Sequence, residues 1–154
     1  MAQRTINGFE ELRTLVDQEV GVGEWFTVTQ SRIDSFAEVT EDRQWIHVDT
    51  ERARTDMPDG KTIAHGFLTL SLLSRLLKEA VVVKAEFKQA LNYGFNRVRF
   101  PSPVPAGSQV RARCTLKGVE DVPNGLQIVW AVTVEVKDVV KPALAAEWLA
   151  RYYY

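Results

Sequence analysis

The stretch from Ile63 to Val82 constrains the fold more than any other part of the chain. Its apolar residues fall on nearly every side of a helix for about four turns. The most apolar part, residues 62–77, contains His65 and Arg75 and is too short to span a membrane. A helix that is apolar all round is a buried one. We therefore expect the rest of the chain to wrap it.

The second half of the chain supplies strands that could form this wrapping. Residues 108–120 alternate between apolar and polar side chains, residues 126–138 place apolar residues on one face, and residues 143–154 form a last strand. Residues 85–100 are typical of extended chain with a break near Asn92. Proline- and glycine-containing turns separate these strands. The core-facing positions predicted on the two alternating strands are Val110, Ala112, Cys114 and Leu116, followed by Ile128, Trp130, Val132, Val134 and Val136.

The first half is predicted to be helical with one strand. A short helix carries Phe9, Leu12, Leu15 and Val16 and ends before the "GVG" at residues 21–23. A strand follows at residues 24–29. A second helix is predicted over residues 31–40, with Ser31 and Asp34 as a capping-box-like start, and an exposed helical piece over residues 49–56.

Helices and strands that are segregated in this way indicate an α+β fold. A curved antiparallel sheet around one apolar helix is the economical arrangement, which is the hot-dog fold. We expect residues 1–154 to form one such domain. Such a sheet leaves open edges, and pairing of edges between copies predicts a homodimer.

Composition excludes several classes of protein. The formal net charge of −1 gives no reason to expect nucleic acid or an anionic membrane as a partner. The single cysteine, Cys114, allows no intrachain disulfide and no multi-cysteine zinc site, which favours a cytoplasmic protein. We expect the Cys114 thiol to be a buried core residue rather than a reactive group. Charges near the N-terminus, where a signal peptide needs an apolar core, indicate no export signal.

The stretch "TEDRQWIHVD" at residues 40–49 is the first candidate for chemistry. Asp42 and His47 are five residues apart, so neither a helix nor a strand would bring them together. A non-regular loop pinned by buried Trp45 and Ile46 would. A carboxylate and an imidazole in one pocket form a plausible acid–base pair; the alternative is a pair that only stabilises the loop.

Gly66 begins the buried helix and is the second candidate. Its backbone N–H, at the positive end of the helix dipole, could stabilise a carbonyl oxygen that becomes negative during a reaction. The alternative is that this glycine only allows close packing of helix and sheet.

These blocks together resemble a known family. "FAEVTEDRQWIHVD" and "TIAHGFLTLSLLSRL" are similar to the MaoC-like dehydratases, specifically the (R)-specific enoyl-CoA hydratases, and "NYGFNRVRFPSPVPAGSQVRAR" is similar to the strands that follow. Asp42, His47 and Gly66 match the family's catalytic residues. Gln44 and Trp45 replace the usual Asn and Pro, which resembles a nodulation-protein-N-like branch, and Glu41 replaces a small residue that is often Gly.

The resemblance implies a mechanism. Water adds across a trans-2-enoyl thioester to give the (R)-3-hydroxyacyl thioester, reversibly, with Asp42 and His47 holding the water and the Gly66 N–H bonding the thioester oxygen. We favour His47 as the base, and the reverse assignment remains open. The thioester itself makes the β-carbon electrophilic, so no metal or cofactor is expected.

The same resemblance implies a substrate. A thioester of CoA or of acyl carrier protein is expected, with Phe67, Leu70 and Leu73 along its acyl chain, unless these are simply core residues. Ser74 matches a serine of the family's active site, although it could also bond only a helix carbonyl. Gln44, Trp45 and His65 are further candidates for substrate contact. Arg97 is the candidate for the CoA phosphates, the alternative being a solvated strand face.

Three rival functions remain open at this point. A dehydratase for a branched or carrier-protein-bound substrate would have the same fold and the same Asp42 and His47, and only its pocket would differ. A hot-dog acyl-CoA thioesterase would polarise the thioester at the same helix start but would direct water at the carbonyl carbon. A hot-dog protein that binds acyl thioesters without turnover would keep the pocket and lack the chemistry. The presence of both Asp42 and His47 favours the hydratase over the thioesterase.

Overall fold

An antiparallel sheet forms one layer of the molecule in the computed structural model, which describes residues 3–154. Residues 1 and 2, which belong to the predicted domain and to the stretch read for an export signal, lie outside the described residues. The strands follow the order β2-β6-β7-β8-β5, with β3 paired to β6 beside β2. Their bounds are β2 (Glu19–Val22), β3 (Phe26–Thr27), β5 (Gln89–Arg99), β6 (Gln109–Val122), β7 (Gly125–Val136) and β8 (Leu144–Tyr153).

The remaining elements lie against one face of this sheet or at its ends. A second, two-stranded parallel sheet joins β1 to β4. The α+β hot-dog arrangement predicted from the sequence is confirmed, with a helix against the inner face of an antiparallel sheet. The bounds are β1 (Arg4–Asn7), β4 (Val81–Lys84), α1 (Gly8–Arg13), α2 (Gln30–Thr40), α3 (Trp45–Val48), α4 (Thr50–Asp56), α5 (Gly66–Ser71) and α6 (Leu73–Ala80).

Alternation in the two longest strands predicted their inner faces correctly. All nine core-facing positions named above on β6 and β7 are buried. Cys114 is 0% exposed, and burial raises the pKa of its thiol to about 12, which confirms an inert core residue. The predicted break near Asn92 is also present, as a shift in the pairing of β5 with β8 between Asn92 and Gly94.

The central helix is less enclosed than its composition suggested. It runs from Gly66 to Ala80 with one turn residue, Leu72, between α5 and α6. Leu73 and Leu76 are buried against the sheet, but Phe67 is 69% exposed. The prediction of burial on all sides was therefore wrong for the isolated chain, because the sheet covers only one side of the helix.

Local signals in the first half were less reliable. The structure has strands β1, β2 and β4 that the sequence pattern did not predict, and β3 is only two residues long. The helix α2 begins at Gln30 and is capped by the Thr29 hydroxyl, which accepts a hydrogen bond from the N–H of Arg32, so the predicted cap at Ser31 was wrong. The end of α2 at Thr40 and the exposed helix α4 are confirmed.

Close approach of sheet and helix at Gly21 gives a stability prediction. A Cβ at this position of β2 would lie 2.5 Å from the carbonyl oxygen of Ala80, which is backbone and cannot rotate away. We expect Gly21→Ala to lower the free energy of unfolding by about 1–3 kcal/mol. The matched control is Gly118→Ala in β6, where the nearest atom is a Val129 methyl at an ordinary 3.7 Å. Urea denaturation of both variants tests this, and an equal effect would contradict it.

Candidate active site

Two chain segments meet at the predicted site, residues 42–48 after α2 and residues 62–66 before α5. The N–H of Ile63 donates to the carbonyl of Ile46 at 2.9 Å, which ties the segments together. The ligand atoms of Asp42, His47 and His65 all lie within 4.8 Å of one another. The chain turn that the sequence required between Asp42 and His47 is therefore present.

The form of that turn differs from the prediction. Residues 45–48 make one helical turn, α3, rather than an irregular loop, and Trp45 and Ile46 are half-buried rather than buried. The turn starts at Glu41, which ends α2 in the left-handed region with φ of 61°. Glycine adopts this conformation without a steric penalty, which explains why a small residue is usual at this position in the MaoC-like dehydratases that the sequence resembles.

His47 is oriented with one ring nitrogen held and the other left available. Its ring is only 6% exposed, and Nδ1 lies 2.6 Å from the carbonyl oxygen of Ile63. Because a carbonyl only accepts, Nδ1 carries the hydrogen and Nε2 keeps its lone pair. Burial lowers the pKa of His47, with a smaller lowering by His65, and the Ile63 carbonyl and Asp42 oppose it. The ring is thus suited to accept a proton at neutral pH.

His65 lies behind Asp42 and His47, the predicted catalytic dyad, rather than on an open pocket wall. It is 3% exposed, and its ring stacks on that of His47 with 3.8 Å between centroids. Its Nε2 lies 2.9 Å from the backbone carbonyl oxygen of Asp42. The predicted role in substrate contact receives no support from this placement.

Gln30 and Thr62 support the site and were missed by the sequence reasoning. The Gln30 amide donates to the carbonyl oxygen of His47 at 2.8 Å and to Asp34 at 2.8 Å, and it accepts from the buried hydroxyl of Thr62. These residues connect the start of α2, α3 and the approach to α5. Separations of 17 and 32 residues leave no local signal in the sequence.

Gly66 is the first residue of α5, and its N–H is available for a ligand oxygen. The N-cap residue, His65, makes no side-chain capping bond, so the first-turn N–H groups receive no cap from it. A Cβ here would lie 3.2 Å from the ring of Phe100, so this ring would have to shift by a few tenths of an ångström to admit a side chain. Both interpretations of this glycine, N–H donor and close packing, are compatible with the geometry.

Two cavities lie along the open side of the central helix, between the helix and β5, and together form a groove. The smaller, of about 300 Å³, begins at Leu70, one helical turn after Gly66, and the larger, of about 760 Å³, ends near Val81 and Phe87. Phe100 lies beside Gly66 and Phe67, outside the lining of both cavities. Ser74, Asn92 and Trp148 line both cavities. Leu70 and Leu73 line the smaller one, as expected for walls of an acyl site.

Three further predicted residues are not brought to this groove. Gln44 is exposed at the start of α3, and Trp45 packs under the guanidinium of Arg52, 4.0 Å from the ring centroid. Arg97 lies opposite Glu147 of β8 in the register of the two strands, on the face of the sheet away from the helix and near Arg113. Its assignment to the CoA phosphates stays a prediction that the placement within one chain does not support.

The neighbouring arginines on that outer face make ion pairs. Arg111 contacts Glu135 at 2.7 Å, and Arg113 contacts both Glu135 and Glu19 at 3.0 and 2.8 Å. These ion pairs agree with a solvated strand face, the alternative to a binding site for the CoA phosphates.

The cluster of Asp42, His47 and His65 has the dimensions of a small-cation site but not its directionality. The two imidazole planes are inclined by only 23° and stacked, so their in-plane lone pairs lie in nearly parallel planes instead of converging on one point. The arrangement suits proton transfer better than coordination.

Within residues 3–154, no helix is long and apolar enough to cross a membrane.

Comparison with known proteins adds to this geometry. The profile of the MaoC-like domain family matches residues 11–140. The chain is 50% identical over 150 residues to 3-hydroxyacyl-thioester dehydratase Z of Mycobacterium tuberculosis, covering 97% of this chain and 98% of that protein. It is 47% identical over 139 residues to nodulation protein N of Rhizobium leguminosarum bv. viciae, covering 87% and 84%.

Solved structures show the same fold at low sequence identity. The MaoC-like dehydratase from Rhodospirillum rubrum superposes with a TM-score of 0.70 at 18% identity, covering 90% of this chain and 92% of that chain. The (R)-hydratase from A. caviae, described as involved in PHA biosynthesis, superposes with a TM-score of 0.64 at 21% identity, covering 88% and 94%.

Proposed function

The chain belongs to the family of MaoC-like domains, and we propose that it is a hydro-lyase that adds water reversibly to a trans-2-enoyl thioester, giving the (R)-3-hydroxyacyl thioester. The proposal treats residues 1–154 as one domain. The observation that carries it is the convergence of Asp42 and His47 at the N-terminal end of the central helix, about one helical turn before the groove beside that helix begins.

The chemistry follows from the orientation of His47. Its free Nε2 takes a proton from water while the water oxygen bonds to the β-carbon, and Asp42 orients that water. The electron pair of the double bond moves toward the thioester carbonyl, where the Gly66 N–H stabilises the growing charge on oxygen. The dyad then delivers a proton to the α-carbon. Each step runs backwards for dehydration of the 3-hydroxyacyl thioester.

The groove supports an acyl chain that extends along the helix. Ser74 lies eight residues after Gly66, which is about 12 Å along a helix at 1.5 Å per residue. Ser74 therefore contacts the chain rather than the reacting carbons. Whether CoA or an acyl carrier protein carries the chain is settled by comparing both thioesters of one acyl group, and a CoA thioester is the simpler first substrate.

The experiment is an assay with crotonyl-CoA. We expect the enoyl absorbance to fall without release of free thiol. Release of thiol would support the rival thioesterase instead. If no enoyl thioester from short to long or branched chains reacts, although the protein binds them, the non-catalytic alternative replaces the hydratase.

The pH dependence of kcat/KM is a separate prediction. The base must be neutral, and burial, assisted by His65, lowers the pKa of His47 from the ordinary value of 6.5. Activity should therefore persist as pH falls through 6.5, with the midpoint of the acid limb below it. A midpoint above 6.5 in a full pH profile would contradict the assignment of His47 as the base.

The two cavities predict an effect on chain-length preference. Trp148 stands between them and stacks on Phe95, and its buried indole N–H has no partner within the described residues. We expect Trp148→Leu to join the cavities and to raise kcat/KM for long chains relative to short chains by about 10-fold. Trp25→Leu, on the outer side of the sheet beside Arg111, is the matched control. An unchanged ratio in Trp148→Leu would contradict this division of the groove.

A homodimer is part of the proposal. Large apolar side chains lie exposed on α5, along the edge strand β5 and just beyond both ends of that strand, and clustered exposed apolar residues are typical of interaction surfaces. A second copy would cover this surface and close the groove. Light scattering should give a dimer, and a monomer would contradict it. The exposed side chains are Phe67, Phe87, Leu91, Tyr93, Phe95 and Phe100.

A further inference from the structure

His65 lies between two aromatic neighbours at the base of the site. One face of its ring stacks on His47 at 3.8 Å and 23°, and the ring of Phe36 lies 4.9 Å from its centroid on a tilted plane. The residue is 3% exposed, so it does not meet substrate or bulk water directly. Its contacts with the dyad are therefore its main interactions.

The hydrogen bonding of His65 defines which of its ring nitrogens acts as a donor. Nε2 lies 2.9 Å from the carbonyl oxygen of Asp42, and a carbonyl only accepts, so Nε2 carries the hydrogen. Nδ1 is buried with no partner among the residues that the structure describes. The ring is therefore anchored to the backbone of Asp42 through Nε2 alone.

The bond to Asp42 comes at a strained point of the chain. The preceding residue, Glu41, has φ of 61°, a left-handed conformation that is sterically unfavourable for a residue other than glycine. The carbonyl that follows this turn is the atom held by His65. A backbone that is strained at Glu41 and carries an exposed Asp42 side chain needs such an anchor to keep the carboxylate beside His47.

We propose, on the basis of the hydratase function proposed above, that His65 is a positioning residue that joins the two members of the dyad: its ring edge fixes the backbone of Asp42 and its ring face supports the imidazole of His47. No proton passes through it. It acts by keeping the carboxylate and the free Nε2 at the separation that one water molecule can bridge.

Three variants separate the two contacts. His65→Gln keeps a donor for the Asp42 carbonyl but loses the stacked ring, His65→Phe keeps the ring but loses the donor, and His65→Leu loses both. We expect His65→Leu to lower kcat for crotonyl-CoA by about 10- to 100-fold with KM changed by less than about 3-fold. The Gln and Phe variants should each lose less. Thr69→Val, a buried position inside α5 four residues further along the chain, is the control and should match wild type.

A second readout does not depend on turnover. The titratable groups facing His47 are Asp42, from the loop after α2, and His65, from the segment before α5, and His65 lowers the pKa of His47. NMR titration of the His47 ring should show this pKa rising in all three variants and unchanged in Thr69→Val. A ring that only fills space would leave it unchanged in His65→Phe.

The two readouts distinguish failure of this proposal from failure of the hydratase function. If wild type hydrates crotonyl-CoA and a folded His65→Leu retains its kcat and the His47 titration, the positioning role is wrong. If wild type hydrates no enoyl thioester, the function fails, and the His47 titration alone then decides whether His65 supports that ring. Should His65→Leu fail to fold, the Gln and Phe variants decide by the same two measurements.

Discussion

Replacing His47 by alanine should reduce kcat for an enoyl thioester by about 100- to 10,000-fold, the range for loss of a general acid–base group. The reason is geometric: the Ile63 carbonyl fixes Nδ1, so Nε2 is the nitrogen left to accept a proton beside Asp42. KM should change little, because the acyl chain binds along the helix and away from the imidazole. Steady-state kinetics with crotonyl-CoA measures both parameters.

Asp42→Asn is the companion variant and should show a loss of the same order. Its matched control is Asp49→Asn, where the side chain caps α4 by accepting from the N–H of Arg52 and can still do so as an amide. Asp49→Asn should retain wild-type activity. A folded His47→Ala or Asp42→Asn variant with more than half of the wild-type kcat would show that the dyad is not the catalytic centre.

Leu76→Ala should cause the largest loss of stability. Leu76 is fully buried between α6 and the inner face of the sheet. Removing three carbons there costs the transfer free energy and leaves a cavity, together about 2–5 kcal/mol. For a chain of this length, that corresponds to a fall in Tm of about 4–20 °C.

The control for this prediction is the next residue of the same helix. Leu77 is only half-buried and lines the larger cavity, so Leu77→Ala should lower the free energy of unfolding by less than half as much. Both variants should be melted at one protein concentration, because the proposed dimer would make Tm depend on concentration. Equal losses would mean that the two sides of the helix are equally enclosed, contrary to the fold described here.

Patterns of neighbouring residues in the sequence correctly predicted those features of the structure that depend on residues close together in the chain. Period-two alternation identified the inner faces of β6 and β7, since a strand with one buried face must alternate. The apolar run from Ile63 identified the central helix. The spacing of Asp42 and His47 required a turn, and the structure contains it.

Contacts between distant segments could not be read from the sequence. Strand β1 is only four residues long and pairs in parallel with β4, whose Val81 and Val82 had continued the helical pattern. Gln30 reaches His47 and Thr62 across 17 and 32 residues, and His65 reaches the Asp42 carbonyl across 23. The open side of the central helix was also missed. An apolar helix surface can be buried by the same chain or by a second copy, and composition does not distinguish the two.

Identification of the product tests the central claim most directly. Crotonyl-CoA would be incubated with wild type and with His47→Ala, and the products analysed by mass spectrometry and chiral separation. The account predicts an intact CoA thioester that has gained one water molecule as the (R)-3-hydroxy isomer, formed by wild type and almost absent with His47→Ala. Free CoA with an unsaturated acid, or a hydrated product formed equally by the variant, would contradict it.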